Sequence, residues 1–145
     1  MSIDLDLVRR QGTLLLDAIN RRDFAAIERM EFFHEEARFY STIAAAEGDT
    51  YVGVDGLRKW AANVDETWEA FTVELVRVEA VDDERVVAEL RTTGRARASG
   101  IPLEMRTGQI WTWPDGVMTE NVSFSDPQGA FEAAGVPYDP STRST

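Results

Sequence analysis

The chain predicts an α+β fold, a cone-shaped α+β barrel in which a curved antiparallel sheet is packed by N-terminal helices. Three observations carry this. Apolar residues recur at helical spacing from Leu5 to Arg22 and again from Asp55 to Trp68. After Trp68 the period changes to the two-residue alternation of strands. Pro114-Asp115-Gly116 then splits two strand-like runs with a turn signal: proline presets φ and glycine takes the left-handed position. Helices followed by a run of strands argue for α+β with an antiparallel sheet.

In the first helix, Leu7/Val8, Leu14/Leu15 and Ala18/Ile19 form the apolar stripe. Asp4 and Asp6 at its start and Arg21 and Arg22 at its end suit the helix dipole. Asp23 can cap a second helix from Phe24 to about Phe33, with Phe24, Ile27 and Met30 on its apolar side. Ala37 to Ile43 reads as a strand. Ala44 to Val52 reads as a loop, and Asp55 to Trp68 as a tryptophan-rich helix. Phe71 to Ala80, Arg85 to Ala98, Leu103 to Trp113 and Val117 to Ser125 are the four later strands. Asp126 caps a terminal helix that ends at Gly135. Residues 1–135 form one domain and residues 136–145 a polar tail. Helices packed on one face of the sheet leave a cone-like cavity between the two layers.

At 145 residues the chain is long enough to bury a core without staples. It has no cysteine, so disulfides and thiolate metal sites are excluded, which suits the cytoplasm. The single histidine, His34, leaves any metal site to carboxylates and one imidazole, so no metal or other cofactor is expected. The net charge of −11 repels phosphate backbones and argues against nucleic acid. No apolar run approaches the roughly 20 residues of a membrane span.

Four segments, in order, carry a family resemblance: Tyr51-Val-Gly-Val-Asp-Gly-Leu-Arg-Lys-Trp60, Trp68-Glu-Ala-Phe71, Ser99-Gly100, and Asp115-Gly116 with Asp126-Pro127 and Ala130 to Gly135. With them the chain resembles the SnoaL-like branch of the nuclear-transport-factor-2-like superfamily. The resemblance implies a pocket between curved sheet and helices, a small hydrophobic ligand and a homodimer through the outer sheet face. It covers isomerases, cyclases, epoxide hydrolases and plain binders, so fold alone does not choose a reaction. The positions that correspond to the ketosteroid isomerase base, tyrosine and protonated aspartate fall near Ser41, Leu15 and Gln109, and none matches. Those of limonene epoxide hydrolases fall near Glu89, Arg91 and Ser123, where one carboxylate is gone. The cyclase pair of histidine and aspartate lacks its aspartate, and a dehydratase would need a second histidine.

The candidate catalytic residues are therefore Glu89 and Arg91, an acid and a base on one face of a strand. Their structural alternative is a salt bridge or dimer contact. Gln109, Asn121 and Ser123 share strand parity with pocket positions of the relatives and could orient a carbonyl or hydroxyl ligand; Ser41 joins them on the first strand. Phe39, Trp60, Trp68, Met105, Trp111 and Trp113 are candidates for an apolar wall, with Trp113 beside the turn placed near its rim. Cross-strand hydrogen bonding and plain core packing are the respective alternatives. The overall expectation is a pocket protein for a polyketide, terpenoid or steroid-like molecule, either a cofactor-independent acid/base enzyme or a non-catalytic ligand-binding or interaction module.

Overall fold

The computed structural model describes residues 3–41 and 50–139. The elements run α1 (Leu5–Asn20), α2 (Phe24–Glu28), β1 (Phe33–Ser41), β2 (Thr50–Val52), α3 (Gly53–Thr67), β3 (Trp68–Ala80), β4 (Arg85–Ala96), β5 (Pro102–Thr112), β6 (Met118–Phe124) and α4 (Pro127–Ala134). A single 3₁₀ turn, Pro114–Gly116, joins β5 to β6.

The helices begin where their caps dictate. Asp4 Oδ1 accepts from the Leu7 amide at 3.0 Å, and Asp23 Oδ1 accepts from Ala26 at 3.1 Å. Each bond satisfies one of the amides a helix start leaves open. Along α1, Val8, Gly12, Leu15 and Ile19 are buried at the 4-3-4 spacing of one helix face. Leu14 stays outside that face and is exposed. Gly53 opens α3 with φ +64°, and a Cβ there would strike the Glu35 carbonyl, so only glycine fits. Gly135 closes α4 in the left-handed conformation.

The six strands form one sheet in the order β2-β1-β6-β5-β4-β3. All neighbours are antiparallel except β1 and β6, which run parallel. The sheet is therefore mixed, not purely antiparallel, because the long connection through α3 to β5 returns β6 alongside the first strand. α2 is shorter than its sequence pattern suggests. It stops at Glu28, and β1 starts at Phe33, where pairing with Met118 of β6 overrides the local pattern. β2 occupies the end of the expected loop and pairs Tyr51 with Phe39. The rest of that loop, the expected strand end at Thr42 and Ile43, and residues 140–145 lie outside the described residues.

Alternation divides β4 between two cores. Val86, Ala88 and Leu90 face α1 and join the main cluster with Leu15, Ile19, Trp111 and Trp113. Val87 faces the other way, where Ala130 and Phe131 of α4 cover it. Helices therefore do not pack on one sheet face alone, as the sequence suggested. The reason is Gly108 of β5: a Cβ there would lie 2.5 Å from Ala130 Cβ and 3.0 Å from Pro127 Cα. Its bare backbone lets α4 lie directly on the sheet.

Candidate functional site

A cavity of about 230 Å³ lies between α1, α3 and the helix-facing side of the sheet. β1 contributes Phe39, and α3 contributes Trp60. β5 contributes Met105, Gln109 and Trp111, all of one parity, and β6 contributes Asn121 and Ser123. Seven of the expected ligand-binding residues thus meet in one space. Trp68 does not. It opens β3 opposite Ala96 and is not among the lining residues. The Ser41 backbone pairs with Ser123, and its side chain lies outside the described residues.

Several lining residues were not singled out from sequence. Thr107 shares the parity of Gln109 and could have been found by extending that count. Trp113 is fully buried, with its Nε1 donating to Gln11 Oε1 at 3.0 Å, and so is no rim residue. Leu15, Leu16 and Ile19 of α1 and Thr92 of β4 lacked a signal, since which faces meet is a tertiary fact. Tyr51 fell in the expected loop, where no side-chain face could be assigned.

The wall is mostly ring and aliphatic surface. Trp60 meets Phe71 edge to face at 5.9 Å between centroids, and Trp111 meets Trp113 at 6.1 Å. No described lining residue is Asp, Glu, His, Lys or Arg. Polarity is concentrated at β5 and β6. Trp111 Nε1 donates to Gln109 Oε1 at 2.7 Å, and Asn121 Nδ2 donates to the same oxygen at 2.9 Å. Asn121 Oδ1 is buried with no hydrogen-bond partner. Tyr51 accepts at its hydroxyl from Asn63 at 3.3 Å.

Glu89 and Arg91 lie on the opposite face of the sheet, which corrects their expected place beside a ligand. Strand parity sends both side chains away from the cavity, and they do not pair with each other. Glu89 is buried, with Oε1 3.1 Å from Arg77 Nε and Oε2 accepting from Arg106 Nη1 at 2.7 Å. Arg77 also lies over the rings of Phe131 and Tyr138, at 5.8 and 5.1 Å from their centroids. Burial, then the negative charge of Glu89, holds the Tyr138 phenol above its ordinary range. Arg91 is partly exposed between Glu104 at 3.1 Å and Glu74 at 3.0 Å. Those two carboxylates raise its guanidinium above the usual value, and Arg91 in turn lowers Glu104. His34 lies at the start of β1, exposed, with its Nδ1 accepting from the Glu36 amide. Among the described residues, no group of three or more His, Asp or Glu side chains is placed to hold a metal ion. Among the same residues, no helix is long and apolar enough to cross a membrane.

The SnoaL-like domain family matches residues 13–121, from the second half of α1 into β6. No curated protein sequence matches the chain. Solved structures share the fold. TsrD from Streptomyces laurentii superposes with a TM-score of 0.67 at 20% identity, over 94% of this chain and 100% of that one. A hypothetical protein with a ketosteroid isomerase-like fold from Catenulispora acidiphila, in complex with trimethylamine, gives 0.62 at 16% identity over 86% and 93%. TerC co-crystallised with polyporic acid gives 0.64 at 17% identity over 86% and 96%.

Proposed function

The chain belongs to the SnoaL-like domain family, and from that premise we propose that it binds a neutral hydrophobic molecule, of polyketide, terpenoid or steroid-like character, in the cavity between sheet and helices. The observation that carries this reading is a cavity walled mostly by aromatic and aliphatic side chains, with Gln109, Asn121 and Ser123 brought together on β5 and β6. Apolar walls with a few placed polar groups are the usual make-up of small-molecule sites. The volume, about 230 Å³, exceeds the ~150 Å³ that houses benzene in an apolar cavity. That leaves room for a molecule larger than a single ring. Two structural neighbours hold small molecules, trimethylamine in one and polyporic acid in the other, which supports small-molecule binding without bearing on the charge of the ligand.

Between the two classes of function, the uncharged lining favours ligand binding over acid/base catalysis. General acid/base chemistry needs a titrating group within hydrogen-bond reach of the reacting atom. The described lining offers no carboxylate or imidazole, its titrating side chains being the phenols of Tyr40 and Tyr51, and Glu89 is on the wrong face of the sheet. A homodimer in the cytoplasm remains part of the proposal and would use outer sheet surface left free by α4.

A thermal-shift series tests the reading. Neutral two-ring aromatics, terpenes and steroids should raise the melting temperature, and charged analogues of the same shape should not. Ligand at 100 times its Kd stabilises by about 2.7 kcal/mol, which such an assay resolves. Stabilisation by anionic analogues alone would contradict the proposal.

A further inference from the structure

The Gln109 side chain is locked in one orientation, and the lock decides what the ligand must offer. Trp111 Nε1 and Asn121 Nδ2 both donate to Gln109 Oε1, at 2.7 and 2.9 Å. An indole N–H can only donate, and an amide oxygen has two lone pairs to accept with. Turning Gln109 over would face its NH₂ against the indole N–H. Trp111 is 3% exposed, so that donor has no water to turn to, and an unmet buried donor is costly. Asn121 is fixed in consequence, because its own oxygen would otherwise meet Gln109 Oε1. With both lone pairs of Oε1 occupied, the Nε2 hydrogens are what Gln109 has left to give. They have no hydrogen-bond partner among the described residues, and Gln109 lines the cavity.

We propose that Trp111 and Asn121 are positioning residues that hold Gln109 as a hydrogen-bond donor, so that the cavity selects a neutral apolar molecule presenting a carbonyl or similar acceptor oxygen to Gln109 Nε2. The proposal rests on the ligand-binding reading above and narrows it. A carboxylate also accepts hydrogen bonds, but no described lining residue carries a positive charge to compensate it. The chain's net charge of −11 opposes it further. A plain hydrocarbon fits the walls but leaves the Gln109 donor unmet.

The experiment is calorimetric titration with three probes of matched shape: 2-acetylnaphthalene, 2-isopropylnaphthalene and 2-naphthoate. The wild-type chain binds the ketone about tenfold more tightly than the hydrocarbon, the worth of one good hydrogen bond, and binds naphthoate more weakly than either. Gln109→Met abolishes the preference for the ketone. Trp111→Phe keeps an aromatic side chain in the wall and removes the donor; whatever the altered wall does to both affinities, the ratio of ketone to hydrocarbon affinity falls toward one, which a merely structural role for Trp111 would not produce. Equal binding of ketone and hydrocarbon by the wild type overturns this proposal and leaves the pocket reading standing. Undiminished preference in Trp111→Phe overturns the positioning role. Binding of none of the three overturns the pocket reading and this proposal with it.

Discussion

Glu89 and Arg77 form an ion pair with Oε1 and Nε 3.1 Å apart and both side chains no more than 5% exposed, on the sheet face turned away from the cavity. Arg77 Nη2 also donates to the Asp139 carbonyl at 2.8 Å. The pair therefore ties β3 and β4 to the segment that follows α4. The carboxylate that sequence offers as a base serves here as a structural anchor.

Glu89→Ala removes the buried carboxylate 3.1 Å from Arg77 and should cost up to about 3–5 kcal/mol. Arg106, partly exposed, can turn to water and soften the loss. Urea unfolding measures this directly. Ligand affinity of the folded variant should stay at the wild-type level. A variant of unchanged stability that no longer binds ligand would return Glu89 to the site.

Gly108→Ala should destabilise by about 1–3 kcal/mol, the usual cost of overpacking. Its new Cβ has no room beside Ala130 and Pro127, so α4 must lift from β5. Chemical denaturation checks the loss, and hydrogen exchange in α4 should speed up before exchange in β4. Wild-type stability would contradict the direct seating of α4 on this backbone.

Tyr138 should make stability sensitive to alkaline pH. Its phenol is raised in the folded state, by burial first and then by Glu89, whereas the unfolded phenol titrates near pH 10. The folded form thus binds more protons above that point. Its contribution is complete below about pH 10 and is lost as pH rises through the folded value. Between pH 8 and 11 the melting temperature of the wild type should fall relative to that of Tyr138→Phe. Parallel curves would contradict the burial of this phenol against Glu89.

Asp65 gives the opposite sign at acid pH. Its hydrogen bonds to Arg22, at 2.6 and 3.0 Å, hold the carboxyl below its ordinary range. Its contribution is present above about pH 4 and is lost as pH falls through the lowered folded value. The pair is partly exposed, so solvent screening limits it to about 0.2–1 kcal/mol. The stability difference between wild type and Asp65→Asn should shrink from pH 6 to pH 3. A constant difference would contradict the ion pair.

The parts of the fold that local chemistry dictates were legible in the sequence. Asp4, Asp23 and Asp126 each cap the helix they precede, and Pro114 and Gly116 make the turn before β6. The start of β1 was not, because Phe33 to Glu36 carry no strand alternation; the strand exists through its pairing with β6, far along the chain. The site divides in the same way. Met105 and Trp111, named for their apolar character, and Gln109, named for its parity, share one parity along β5 and line the cavity together. Parity along β4 also separated Glu89 from Leu90, but both faces of that strand are apolar at its centre. Val87 on one side and Ala88 on the other are equally buried. Only the seating of α4 on Gly108 decides which face is the outer one.

Indole ¹⁵N–¹H spectra, assigned with single Trp→Phe variants, test cavity binding most directly. Trp60, Trp111 and Trp113 line the cavity, and Trp68 does not. On titration with 2-acetylnaphthalene, a ligand seated in the cavity shifts the first three indole signals, Trp111 among them through its bond to Gln109, and leaves that of Trp68 in place. A shift confined to Trp68, or no shift at saturating probe, would contradict a ligand site between α1, α3 and the sheet.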